Sequence, residues 1–200
     1  MAPHRRTATR VKAGQVQKKN NWEASERSIF ARPQDEIRLE RRDPGAGYRH
    51  LFSLAQLRTF LTLLPEWDEL AVGLDAIVLD DGNQGCMGWC GDGVVAVCAW
   101  ERDLWWEDAL PEFIEEHAPI LDLLDVRAEE EDGRLVVRWT EDRARAFQLL
   151  HILTHELGHH HDRMTTRSRR QASRGEPYAE AYAIRAMEEL WPAYVRAFGL

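Results

Sequence analysis

Leu149-Leu150-His151-Ile152-Leu153-Thr154-His155-Glu156-Leu157-Gly158-His159-His160-His161-Asp162 is the stretch whose reading decides the fold. At about 100° per residue on a helix, with His155 at zero, His159 falls at about +40°, His151 at about −40°, Gly158 at about −60° and Asp162 at about −20°. Leu149, Leu150, Leu153 and Leu157 fall between about 120° and 220°, on the opposite side. One side can pack on a core while the other presents polar groups. Upstream, Thr140-Glu141-Asp142 offers an N-cap and two acids ahead of an unbroken helix-favouring run from Arg143 to Met164.

Within that helix, His155-Glu156-x-x-His159 is an H-E-x-x-H arrangement. Two histidines one turn apart can hold zinc (Zn2+), and the glutamate between them can handle a water's proton. His160 and His161, at about 140° and −120°, cannot join the pair on one metal while the helix stays regular. His151 is on the correct side but a turn too early, which suits lining the cleft or supporting a ligand. Gly158 weakens a helix by about 1 kcal/mol relative to alanine, so a glycine on that side implies that something must approach the backbone there.

A catalytic zinc takes three protein ligands and keeps one position open. The continuation found in metzincins would need glycine and histidine where this chain has Asp162 and Thr165, so a third histidine of that type is excluded. The remaining route is a carboxylate from a following helix, and Gly175-Glu176-Pro177-Tyr178-Ala179-Glu180-Ala181-Tyr182-Ala183-Ile184-Arg185 offers two. With Glu180 at zero, Glu176 lies at about −40°, Ile184 at +40°, Met187 at −20° and Trp191 at +20°, so the acids head an apolar stripe. Glu180, inside the helix and better fixed, is favoured as the ligand. Glu176, at the helix start, is then expected to orient a histidine from behind.

Leu153-Thr154-His155-Glu156-Leu157-Gly158-His159, Asp162 three residues on, and Tyr178-Ala179-Glu180-Ala181-Tyr182 resemble the gluzincin metallopeptidases, most closely the anthrax-lethal-factor-type branch. The resemblance covers residues 150–187. It implies His155, His159 and Glu180 as zinc ligands, Glu156 as general base and Asp162 as a histidine-orienting acid. It also implies an α+β, zincin-like fold, with a small mixed or antiparallel sheet packed on the motif helix and a C-terminal glutamate helix. In that branch a tyrosine seven residues before the ligand glutamate helps stabilise the oxyanion; this chain has Ser173 there.

Outside the motif, the chain divides by charge. Residues 1–33 carry eight Lys/Arg against Glu23 and Glu26, a balance of +6 in a chain of net charge −8. So polar a segment cannot bury enough surface to offset its ordering entropy, and it reads as a disordered basic tail before one domain at 34–200. Nucleic acid is a plausible partner only for this tail, because the remainder is strongly acidic. No apolar run approaches the roughly 18 residues needed to cross a bilayer, and the N-terminus lacks an apolar signal core, which predicts a soluble, cytoplasmic protein. Cys86, Cys90 and Cys98 match no common zinc spacing and read as reduced thiols on or near buried strands.

Between tail and motif, the leucines from Leu51 to Leu64 recur at helical spacing until Pro65, and Leu74 to Leu79 reads as a strand. Cys86 to Trp100 reads as a hairpin turning at Gly91-Asp92-Gly93, its second arm apolar on both faces and therefore central. Trp105 to Leu121 reads as helical or irregular cover. Val126 to Trp139 forms a second hairpin about Asp132-Gly133, with Leu135, Val137 and Trp139 on one face. The expected activity is zinc-dependent hydrolysis of a peptide or protein substrate. The alternative is an inactive zincin-fold binding or regulatory module whose basic tail engages DNA or a protein partner.

Overall fold

The computed structural model describes residues 37–91, 93–107, 109–166 and 174–200, together with the backbone of two short paired strands, β1 (Val11–Lys12) and β2 (Gln15–Val16). The rest of the basic segment 1–33, and Ser173, lie outside the described residues. From Ile37 the elements run β3 (Arg38–Arg41), β4 (Tyr48–Arg49), α1 (Leu54–Leu61), α2 (Trp67–Leu70), β5 (Ala76–Asp80), β6 (Gly88–Gly91) and β7 (Val94–Cys98). They continue as β8 (Trp100–Glu101), β9 (Trp105–Trp106), α3 (Pro111–Glu116), α4 (Ala118–Leu123), β10 (Ala128–Glu131), β11 (Arg134–Arg138), α5 (Glu141–Phe147), α6 (Thr154–Thr165) and α7 (Glu176–Phe198). The fold is mixed α and β with small sheets.

Val94-Val95-Ala96-Val97-Cys98 is buried at every position because β7 has a neighbour on each edge and cover on each face. β5 pairs with it in parallel, from Ala76 opposite Val94 to Asp80 opposite Cys98, and β6 pairs antiparallel, from Gly88 opposite Val97 to Gly91 opposite Val94. β3 adds in parallel beyond β5, giving the order β3-β5-β7-β6. The period-two side-chain alternation then splits these strands between two cores. Ile77, Leu79, Val95 and Val97 enter the main core, while Ala76, Val78, Val94 and Ala96 form a smaller cluster against Trp89.

The second hairpin forms as its turn chemistry requires, with Asp132 and Gly133 both at positive φ, 50° and 75°. One expectation is corrected: Trp105–Trp106 is not helical cover but a third strand, pairing with β11 through Trp105 opposite Arg138 and Trp106 opposite Val137. Its physical reason lies in aromatic packing. Trp106 stacks on Trp100 at 5.0 Å and meets Trp139 and Phe113 edge-on, each at 5.2 Å, so an extended backbone packs one tryptophan, half-buried, against the core and leaves Trp105 outside.

The motif helix departs from regularity. Thr140 caps α5 by accepting from the Arg143 backbone, but Gln148–Leu153 widens into a π-helical stretch before α6 resumes. Two side chains accompany that widening. Buried Gln148 donates from Nε2 to the Cys98 carbonyl at 2.7 Å, and the Thr154 hydroxyl lies 2.7 Å from the Leu150 carbonyl oxygen and 3.1 Å from that of His151. A hydroxyl that competes for helix carbonyls loosens the i to i−4 ladder. Leu149, Leu150, Leu153 and Leu157 are nonetheless fully buried, as the apolar side of the pattern requires. Among the described residues, no helix is long and apolar enough to cross a membrane.

Candidate metal centre

α6 and α7 run antiparallel, so residues ascending one helix meet residues descending the other: His155 with Glu180, His159 with Glu176, and Asp162 with Gly175. Gly158 lets them close. A Cβ there would sit 3.0 Å from the Ala179 Cα, 3.0 Å from the Tyr182 Cβ and 3.2 Å from the Ala179 carbonyl oxygen. The approach implied by a glycine on the ligand side is therefore made by the glutamate helix itself.

Across this contact, Glu176 Oε2 lies 3.2 Å from His155 Nε2 and 3.3 Å from His159 Nε2. Glu180 Oε2 lies 3.2 Å from His155 Nδ1, and His151 Nε2 is 3.7 Å from the same oxygen. Two sets of potential ligand atoms result, each within 4.8 Å of one another: His155, His159 and Glu176, and His151, His155 and Glu180.

The two glutamates thus stand at different depths against His155. Glu176 meets both outward Nε2 atoms, and Glu180 meets the inner Nδ1 of His155. Helix direction supplies the reason. Side chains tilt toward the N-terminus of their helix, so the acid in the first turn of α7 reaches the rim, while the one a turn later stays deeper beside the proximal ring nitrogen. Angular position alone, which differs by only about 40°, does not distinguish the two depths.

Asp162 has a different setting from that of a histidine-orienting acid. It is buried, with Oδ1 accepting from Arg174 Nε at 2.7 Å and Oδ2 from the Gly175 backbone N–H at 2.9 Å. Asp162 therefore ties the end of α6 to the beginning of α7, and the carboxylate on His155 Nδ1 is that of Glu180. The neighbours of His159 point elsewhere. His160 Nε2 is 2.9 Å from the Val72 carbonyl oxygen, and His161 Nδ1 is 2.7 Å from the Tyr178 hydroxyl.

Electrostatics follow the same geometry. Burial disfavours a charged His155, but the Glu176 and Glu180 carboxylates outweigh it and raise the imidazole to about 10. Glu176 is held well below the usual carboxylate range by hydrogen bonds from His155 and His159, which outweigh its burial. His151 is lowered to about 3 by burial. His155, His159, Glu176 and Glu180 are thereby linked across the α6–α7 contact.

Glu156 is buried, and β6 passes close to it. A Cβ on Gly88 would lie 2.9 Å from Glu156 Cγ and 2.8 Å from Ile152 Cγ2, so only a glycine brings this strand so near. Two participants carry little sequence signal. Gly88 could have been singled out as a glycine inside a strand. His117, lying between two short helices, has no spacing relation to the motif. Its Nδ1 is 2.9 Å from the Phe113 carbonyl oxygen, and its ring meets that of His151 edge-on at 4.9 Å.

No family model matches the chain, and neither a curated protein nor a solved structure matches it.

Proposed function

We propose that this chain is a zinc-dependent hydrolase of zincin-like architecture, acting on peptide bonds, with zinc held by His155, His159 and Glu176. The observation that carries the reading is the convergence of both Nε2 atoms on one Glu176 oxygen, at 3.2 and 3.3 Å. Ligand atoms about 2.0–2.1 Å from a tetrahedral zinc stand about 3.3 Å apart, and two imidazoles with one carboxylate are donors that zinc accepts. When bound, zinc would supply acidity to a water molecule and polarisation to a scissile carbonyl.

The chain's own residues have separable tasks. Glu180 accepts the Nδ1 proton of His155, fixing the ring's tautomer and turning Nε2 outward. Glu156, shielded from bulk water, takes a proton from the attacking water and passes it to the leaving amine. β6 stands at the end of the β3-β5-β7-β6 order, beside Glu156, where an extended peptide can add as a further strand.

The test is zinc content and peptide hydrolysis in the wild type, His155→Ala and Glu156→Gln. Zinc is expected in the wild type, kept in Glu156→Gln and lost in His155→Ala, with hydrolysis falling about 10²- to 10⁴-fold in Glu156→Gln. A wild type that binds no zinc overturns the proposal. Zinc retention without hydrolysis of a broad peptide library would put the binding or regulatory module in its place.

A further inference from the structure

Behind the outer set, the interior holds polar atoms that the reading above leaves unused. His151 is only 2% exposed, and its Nδ1 has no hydrogen-bond partner among the described residues. Glu180 Oε1 is buried and likewise unpartnered, although Oε2 of the same carboxylate faces two imidazoles. Buried polar atoms without partners are uncommon, and for Glu180 Oε1 an ion or water is the ordinary explanation, whereas His151 Nδ1 diverges from Nε2 and takes no part in the site.

The separations favour an ion. His151 Nε2 and Glu180 Oε2 are 3.7 Å apart, too far for a direct hydrogen bond. They are also too close for an intervening water, which sets its two partners about 4.6 Å apart. Neighbouring ligands on a cation about 2.1 Å from each stand about 3.0–4.2 Å apart, depending on the angle. Both the 3.7 Å separation and the 3.2 Å between Glu180 Oε2 and His155 Nδ1 fall in that range. The His151 ring is also set in place, tilted against Phe147 at 5.4 Å and edge-on to His117 at 4.9 Å.

We propose that the chain carries a second, interior divalent-cation site made of His151 Nε2, His155 Nδ1 and the Glu180 carboxylate. Two imidazoles and a carboxylate suit zinc. The inference rests on the outer-site reading in one respect: the His155 ring serves both cations, Nε2 outward and Nδ1 inward. The inner cation replaces the Nδ1 proton, which leaves to solvent, and the ring bridges as an imidazolate. Glu180 then changes from proton acceptor to ligand, with Oε1 free to join as a second donor. Cation binding at the two positions is coupled through one ring.

The experiment equilibrates the full-length chain with zinc, removes unbound metal by gel filtration and measures zinc per chain. Two equivalents are expected in the wild type, one in His151→Phe and one in Glu176→Gln. One equivalent in the wild type, unchanged by His151→Phe and lost in Glu176→Gln, overturns the interior site and leaves the proposed hydrolase standing. No zinc at all overturns both. Two equivalents that survive His151→Phe also refute the interior site, since the second zinc then lies elsewhere. If His151→Phe does not fold, cobalt(II) in the wild type decides. A second equivalent attenuates the electron paramagnetic resonance signal of the first if the imidazolate couples them, and simple doubling of the signal refutes the bridge.

Discussion

Replacing Gly158 by alanine adds one methyl group where α6 meets α7. That methyl would stand 3.0 Å from the Ala179 Cα and the Tyr182 Cβ, and 3.2 Å from the Ala179 carbonyl oxygen. None of these atoms is the free end of a flexible side chain, so α7 must retreat by a few tenths of an ångström. Two effects oppose each other in the metal-free chain. Alanine favours the helix by about 1 kcal/mol, while overpacking costs about 1–3 kcal/mol, leaving a net loss of about 0–2 kcal/mol. Glu176 rides on α7 and would move with it from His155 and His159. Zinc affinity should then fall about 10-fold or more, the scale seen when a ligand's support is disturbed. At saturating zinc, each tenfold loss removes about a further 1.4 kcal/mol. Urea unfolding with and without zinc, together with a chelator-competition measurement of Kd, reads both quantities. Unchanged zinc affinity with equal or greater stability would refute the close-packing argument.

Glu176→Gln should weaken the outer zinc far more than Glu180→Gln, whose effect there is expected to be about 10- to 100-fold; the reverse order would restore Glu180 as the outer ligand. In the metal-free chain His155 is raised to about 10, so its contribution to stability is complete below the ordinary histidine value of about 6.5 and disappears as pH climbs toward 10. Glu176 is depressed, so its contribution is present above about pH 4.3 and disappears on acidification. Buried His151, lowered to about 3, adds a contribution that is lost as pH falls below about 6.5, so the metal-free Tm should peak near pH 6.5 and drop by about 5 °C toward pH 10. Circular dichroism melts in chelator check this, and a flat profile from pH 6 to 10 would contradict it. Asp162→Ala leaves the Gly175 N–H and the Arg174 Nε–H without their acceptor, which should cost about 2 kcal/mol in urea unfolding. A loss under about 0.5 kcal/mol would show that the tie between α6 and α7 is dispensable.

Periodicity made the helix around His155 and the central strand Val94–Cys98 legible because both depend on repeating apolar burial, which is written in residue order. Gly158 was legible for a similar reason: a residue that disfavours its own helix marks a place where a neighbour needs room. Depth was not legible. A helical wheel gives an angle, but the choice between His155 Nε2 and Nδ1 depends on the direction of α7 and the tilt of its side chains. The π-helical stretch and the strand at Trp105–Trp106 escaped notice because each depends on distant partners. Gln148 reaches a carbonyl at the end of β7, and Trp106 stacks on Trp100. His117 joins His151 only through tertiary packing, so no spacing in the chain announces it.

His159, His160 and His161 create an ambiguity that their partners remove. In a run of identical side chains, turning the helix by one residue would put one histidine where another had been, and the site alone would discriminate weakly between the arrangements. Here each position has its own counterpart: a glutamate from α7, a main-chain carbonyl after α2 and a tyrosine hydroxyl from α7. A rotation that offered the wrong histidine to the site would break the other two contacts together. Three copies of one residue therefore specify a single rotational setting for α6, and the repetition that looks redundant in the sequence protects the helix against misalignment.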